Sequence, residues 1–236
     1  MANAKRQRGF TLVEIAIVLV IVGLLLGGVL KGQELITSAR VRNLADQATS
    51  IQAAYHGFID RYRQVPGDWP AALATQAVPG VGTGGNGNGR IDTANGSEWS
   101  EPLAAWEQLA RSGFLQGNYV GGSAAPTAAQ NDRAPRNAFN GFMFITRSDA
   151  YLDLATPAER QLLVLGRGIP VNVLRELDVK LDDGLPQTGA LRQASTSGAA
   201  LGELAQSAAN CVDTTSQPAI WNIAGNVQDC NGVLLY

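Results

Sequence analysis

Apolar and polar positions divide the chain into three regimes. Residues 10–30 form a run of 21 in which Thr11 and Glu14 alone are neither apolar nor glycine. At about 1.5 Å per helical residue, such a run spans a hydrocarbon core of roughly 30 Å. The period then changes. Val41, Leu44, Ala48, Ile51, Tyr55, Phe58 and Tyr62 recur at spacings of three and four, and Arg40, Arg42, Asp46, Gln47, Arg61 and Arg63 lie off that stripe. No proline interrupts residues 10–65, so both stretches read as one helix over 10–63, roughly 80 Å long and ended by Pro66-Gly67. The stripe predicts that the second half packs on a globular head. Gly23, Gly27, Gly28 and Gly32 lie inside the predicted helix, each at a cost of about 1 kcal/mol against alanine. They read equally as a place where the helix unwinds and as small residues that let membrane helices approach.

Beyond residue 66 the pattern is mixed α and β. Ser100-Glu101-Pro102 combines a cap, an acid and a first-turn proline, and Ser112-Gly113 closes the helix they open. Thr156-Pro157-Ala158-Glu159 fits a capping box before a short helix, and residues 171–181 read as another helix. Phe142-Met143-Phe144-Ile145-Thr146 is strand-like. Segments 141–146, 150–155, a short piece near Ala190-Leu191-Arg192 and 233–235 suffice for a small antiparallel sheet. Residues 74–97, rich in glycine and polar side chains, read as a surface loop. The expected fold class is α+β, and the sequence contains no internal repeat.

Charge changes the reading of the apolar run. Lys5, Arg6 and Arg8 precede it, with no acid among the first nine residues. That asymmetry holds the N-terminus in the cytoplasm and sends the rest across the membrane. A cleaved secretory signal would need a shorter apolar core and a small-residue cleavage site after it. Here the run leads straight into KGQELITSARVRNLADQ, a helical segment. A plain anchor explains length and orientation but not Glu14, because a carboxylate in hydrocarbon costs a few kcal/mol or more.

Arg8-Gly9-Phe10-Thr11-Leu12-Val13-Glu14 resembles the signature of type IV pilins and of the pseudopilins of type II secretion. The resemblance covers about the first thirty residues. It implies that a prepilin peptidase cuts after Gly9 on the cytoplasmic side, that Phe10 becomes N-methylated, and that Glu14 is the acid at the fifth position of the mature chain. In a filament cored by such helices, Glu14 of one subunit would meet the Phe10 ammonium of a neighbour. Breaking a buried pair costs about 3–5 kcal/mol, so the pair favours docking at one axial register. The implied architecture is a long N-terminal helix laid against an antiparallel sheet. The implied organisation is a leader over 1–9, a membrane and filament-core helix over 10–30, its amphipathic continuation over 31–65, and an exported head over 66–236. Many members carry a proline near the Lys31-Gly32 position, where this chain has none. The implied partners are the peptidase, an inner-membrane assembly platform and other pilins. The implied path is a single-pass inner-membrane precursor with a periplasmic head, then an extracellular filament.

Composition agrees with one membrane segment and one exported domain. The chain has 236 residues, 45% of them hydrophobic. Losing Lys5, Arg6 and Arg8 leaves 15 bases against 20 acids, a formal charge of −5. A mildly acidic head offers no electrostatic case for nucleic acid. The two cysteines, Cys211 and Cys230, lie on the exported side, where an oxidising compartment favours a disulfide over the alternative of two buried thiols. Pilins commonly carry such a C-terminal bridge, and this one would stabilise by roughly 3 kcal/mol in the chain-entropy model.

Two stretches invite calcium, and neither displaces the expectation of no cofactor. Residues 84–95 imitate an EF-hand loop with Gly89 at the sixth place and Asn86, Asn88 and Asp92 as oxygen donors. Gly84 and Asn95 stand where the first aspartate and the bidentate glutamate belong, so Asp92 is the one carboxylate and a surface loop is the better reading. Asp182-Asp183-Gly184 reads first as a helix end and turn. Catalysis is not expected. His56 is the only histidine and borders the apolar stripe, and no P-loop or GxSxG occurs. Three classes remain: a pilin, a secretion pseudopilin or filament-initiating minor pilin, and a monomeric anchored binding protein. A head of about 170 residues and the cysteine pair favour a pilin over a pseudopilin, and the presence of Glu14 favours an internal subunit over a filament-initiating minor pilin.

Overall fold

A computed structural model describes residues 12–197 and 200–236. The chain divides into an N-terminal unit, Met1–Ala39, and a larger unit, Arg40–Tyr236. Helix α1 runs from Leu12 to Tyr62 without a break, through all four glycines of the predicted cluster. In the N-terminal unit its apolar side chains face outward, Leu12 at 92% and Leu24 at 74% exposure. Among the described residues α1 is the one helix long and apolar enough to cross a membrane.

In the larger unit the stripe is buried as its spacing requires. Val41, Leu44, Ala48, Ile51, Ala54, Tyr55 and Phe58 are all inside, and Tyr62 packs half-buried against Phe58 and Trp69. The helix stops at Tyr62, one residue short of the expected end, because Arg63 takes a left-handed conformation (φ 55°). Helix α2, Ala71–Ala77, was not anticipated. Helix α3, Ser100–Arg111, is buried over nearly its whole circumference. Ser100 is its first helical residue rather than its cap, and Pro102 sits in the first turn, where a missing N–H costs nothing.

The sheet has β1 (Phe144–Ser148), β2 (Arg160–Val164), β3 (Leu191–Gln193) and β6 (Gly232–Leu235) in the order β1-β2-β6-β3, all antiparallel. Helix α4, Val171–Leu181, lies between β2 and β3 in sequence, and a short hairpin of β4 (Val212–Asp213) and β5 (Ile220–Trp221) precedes β6. Strand β6 takes an interior place, Leu234 opposing Leu163 on one side and Leu191 on the other. Tyr236 then stacks on Tyr55 of α1, with ring centroids 5.6 Å apart and planes 10° from parallel. The α+β class and the helix-on-sheet arrangement are those expected.

Two local expectations fail. Residues 156–159 form no helix, and the RQLLV that follows is β2. Pairing with β1 and β6 outweighs a weak capping signal. Segment 150–155 contributes only an isolated bridge from Tyr151 to Ala194, and β1 starts at Phe144, three residues after the expected start of segment 141–146.

The glycine-rich stretch is tied down by buried carboxylates. Glu101 of α3, 0% exposed, accepts the Asn86 N–H at 3.0 Å and the Asp92 N–H at 2.7 Å. Asp68 accepts from Gly87, Asn88 and Gly89, and Glu107 from Gly82 and Thr83. Gln108 bridges Gly67 N–H to the carbonyls of Trp69 and Thr83. At Gly85 a Cβ would overlap the Glu101 carboxylate, so only glycine permits this approach. Burial pushes the Glu101 carboxyl up to about 7, against the pull of the Asp92 and Asn86 N–H groups. Its folded value therefore exceeds the unfolded one of 4.5, and its contribution to stability is lost as pH rises from about 4.5 through about 7. Glu101→Gln cannot ionise. In parallel thermal melts its Tm relative to wild type should move in the variant's favour as the pH rises across that window. A flat or opposite trend would show that the loop N–H groups hold Glu101 charged.

Candidate functional site

Two regions carry the residues singled out by the sequence. The first is the start of α1. Glu14 lies in its first described turn, exposed, among Leu12, Val13, Ile15 and Ile17. Gly9 and Phe10 lie outside the described residues. The helix remains regular at Gly23, Gly27, Gly28 and Gly32, and nothing approaches within 4 Å of where a Cβ would stand at any of them. Lys31 and Glu34, three residues apart, form an exposed pair at 2.7 Å.

The second region is the C-terminal part of the head. Cys211 and Cys230 form a disulfide, and Ile169 and Cys230 exchange backbone hydrogen bonds at 3.2 and 2.9 Å. Within the closed loop, Trp221 of β5 is buried and donates its Nε1–H to Asp178 Oδ2 at 2.7 Å. Asp229 accepts the Gly168 N–H at 2.8 Å and pairs with Arg167. The loop is thus fastened to the segment before α4 and to α4 itself.

Asp178 is fully buried one turn before the end of α4, and Asp182 and Asp183 follow that end. Burial pushes the Asp178 carboxyl up to about 7, and the charges of Asp183 and Asp182 reinforce this. Trp221 and the nearby Gly184 N–H oppose it. Asp182 accepts from Ala190 and Leu191 N–H, and Asp183 from Leu185 N–H and the Thr188 hydroxyl. One oxygen from each of the three aspartates lies within 4.8 Å of the other two. Sequence reasoning had Asp182 and Asp183 but missed Asp178, because a buried acid four residues upstream reads as an ordinary position on a helix. The other suggested donors look inward on their own turn. Asn86 Oδ1 accepts from Asn88 N–H, Asn88 Oδ1 from Arg90 N–H, and the Asn88 amide donates to Asp92. His56 is exposed and packs edge-on to Tyr55, 5.4 Å between rings.

The profile of the prokaryotic N-terminal methylation motif matches residues 4–30. This chain carries a type IV pilin, prepilin-type cleavage motif. The motif spans Gly9, Phe10 and Glu14 and stops within α1, so the whole head lies beyond it. No curated protein and no solved structure matches the chain. The match therefore covers the N-terminal segment alone.

The disulfide gives that head a direct test. Cys211→Ser should destabilise it by about 2–4 kcal/mol and lower Tm accordingly. Native wild-type protein should resist thiol labelling until denatured and reduced. Stoichiometric labelling of both cysteines without reductant would contradict the bridge.

Proposed function

We propose that this chain is a structural subunit of a type IV pilus-like filament, cleaved before Phe10 by a prepilin peptidase, methylated there, and polymerised through its N-terminal helix. The methylation motif by itself supports a pilin-like or pseudopilin protein. The observation that carries the finer reading is Glu14, an acid within an apolar helical segment at the fifth position after the motif's cleavage point. A membrane anchor has no use for it, whereas a packed bundle of identical helices does. There it pairs with the Phe10 ammonium of a neighbouring subunit and sets the axial register. In this reading residues 1–9 are the leader, 10–30 span the inner membrane and later the filament core, 31–65 continue the helix, and 66–236 form the exported head. The bridged cysteines suit a periplasmic or extracellular location. The second reading, a pseudopilin or a minor pilin, shares the motif and the processing.

Processing is tested by mass. The mature chain should begin at Phe10 with one added methyl group, and Gly9→Val should retain the leader. A mature chain beginning at Met1 or at a downstream site would refute the pilin reading.

Assembly is tested at Glu14. Glu14→Val should insert normally, since removing a charge from the apolar segment eases insertion. It should still be cleaved after Gly9. The amount of chain in sheared surface filaments, divided by the amount in membranes, should collapse relative to wild type. An unchanged ratio would show that the carboxylate is not an assembly contact, and absence of the wild-type chain from any surface filament would favour the secretion pseudopilin.

A further inference from the structure

The three aspartates at the end of α4 are a problem that the protein's own groups leave unsolved. Among the described residues, no lysine or arginine forms an ion pair with Asp178, Asp182 or Asp183, and the nearest basic residue in sequence, Lys180, is paired with Glu176 at 2.7 Å. Asp178 is fully buried, and its Oδ1 has no hydrogen bond of normal geometry. A buried carboxylate oxygen without a donor is costly, and a carboxyl proton placed there would itself need an acceptor. Trp221 Nε1–H already fixes Oδ2, so the carboxyl cannot turn away from the cluster without breaking that bond.

We propose that Asp178, Asp182 and Asp183 hold a divalent cation of the calcium class at the C-terminal end of α4. The oxygens lie within 4.8 Å of one another, and two oxygens on one calcium ion, each 2.3–2.6 Å away, are up to about 5 Å apart. The ligands are oxygen only and come from an irregular helix end and turn, which suits calcium's tolerant geometry better than magnesium's strict octahedron. Backbone carbonyls and water complete the coordination. Burial grades across the site from Asp178 inside through half-buried Asp182 to exposed Asp183, so the ion enters from solvent on the Asp183 side. The cation also has a structural consequence. Asp178 holds Trp221 of the disulfide-closed loop, while Asp182 holds the N–H groups of Ala190 and Leu191 at the start of β3. One ion therefore clamps α4 to an edge strand and to the C-terminal loop.

The test uses the full chain in detergent, stripped with a chelator. Calcium added alone should bind saturably at one site per chain, with a Kd on the order of 0.1–1 mM or tighter, as in extracellular calcium modules. It should raise Tm, and magnesium should do so less. Asp183→Asn, at an exposed position where the amide oxygen can still accept from the Leu185 N–H, should weaken calcium binding by at least about tenfold and abolish the shift in Tm while the metal-free Tm is retained. Terbium bound in place of calcium should show emission sensitised by Trp221 that is lost in Trp221→Phe. No saturable calcium binding up to about 10 mM would overturn the proposal. So would equal binding by Asp183→Asn and wild type, or loss of binding in Asp92→Asn with Asp183→Asn unaffected.

Discussion

The head depends on a supply of hydrogen-bond acceptors for backbone that has no ladder of its own. Between Gly82 and Asp92 the chain adopts no regular structure, yet it lies against buried α3. Seven of its N–H groups, those of Gly82, Thr83, Asn86, Gly87, Asn88, Gly89 and Asp92, are taken by only three carboxylates, Asp68, Glu101 and Glu107. The segment itself is largely exposed, but the three acceptors are buried, and a buried carboxylate left without donors would cost about 1–3 kcal/mol or more. A carboxylate is the efficient answer, because each of its two oxygens accepts more than one donor. That explains why α3 carries acids on a face that periodicity alone would fill with apolar residues.

The same arrangement marks where the sequence was legible. The long helix, α3, α4 and the terminal strand follow from local signals: the three-and-four stripe, Pro102 near a helix start, and a continuous apolar run at β6. The signature around Gly9, Phe10 and Glu14 was readable because its chemistry is confined to adjacent residues. What was not legible is non-local. Strand β2 exists because its partners β1 and β6 flank it, and β6 arrives about seventy residues later. The 82–92 segment reads as a loose loop because nothing nearby announces that Glu101 and Glu107 point inward. Asp178 was missed for the same reason, since its partner Trp221 is 43 residues away.

Carboxylates thus stand in two kinds of apolar setting in one chain. In the head Asp68, Glu101 and Glu107 accept from N–H donors fixed when the subunit folds. Glu14 stands instead among exposed apolar side chains of α1 in the N-terminal unit, surroundings that would change wherever that helix met others. A bundle of such helices has no hydrophobic preference for itself over lipid, so its specificity must come from packing of small residues and from polar contacts. The glycines at 23, 27, 28 and 32 and the acid at 14 are the features of this segment able to supply both.

The C-terminal region presents the complementary difficulty. Its strands β4 and β5 are two residues each, too short to hold a fold by pairing. Residues 205–231 instead rely on links made one at a time: the disulfide, the Asp229 contacts to Arg167 and Gly168, the Ile169–Cys230 exchange, and the Trp221–Asp178 bond. These links converge on two neighbouring stretches, residues 167–169 and α4. Convergence makes them interdependent, since a disulfide that holds Cys230 near Ile169 also raises the local concentration of Trp221 around Asp178. Loss of any one should therefore weaken the others by more than independent contributions would. Cys211, Trp221 and Cys230 are also buried in the core, so the region keeps its shape through a few specific contacts together with the burial of the side chains that make them.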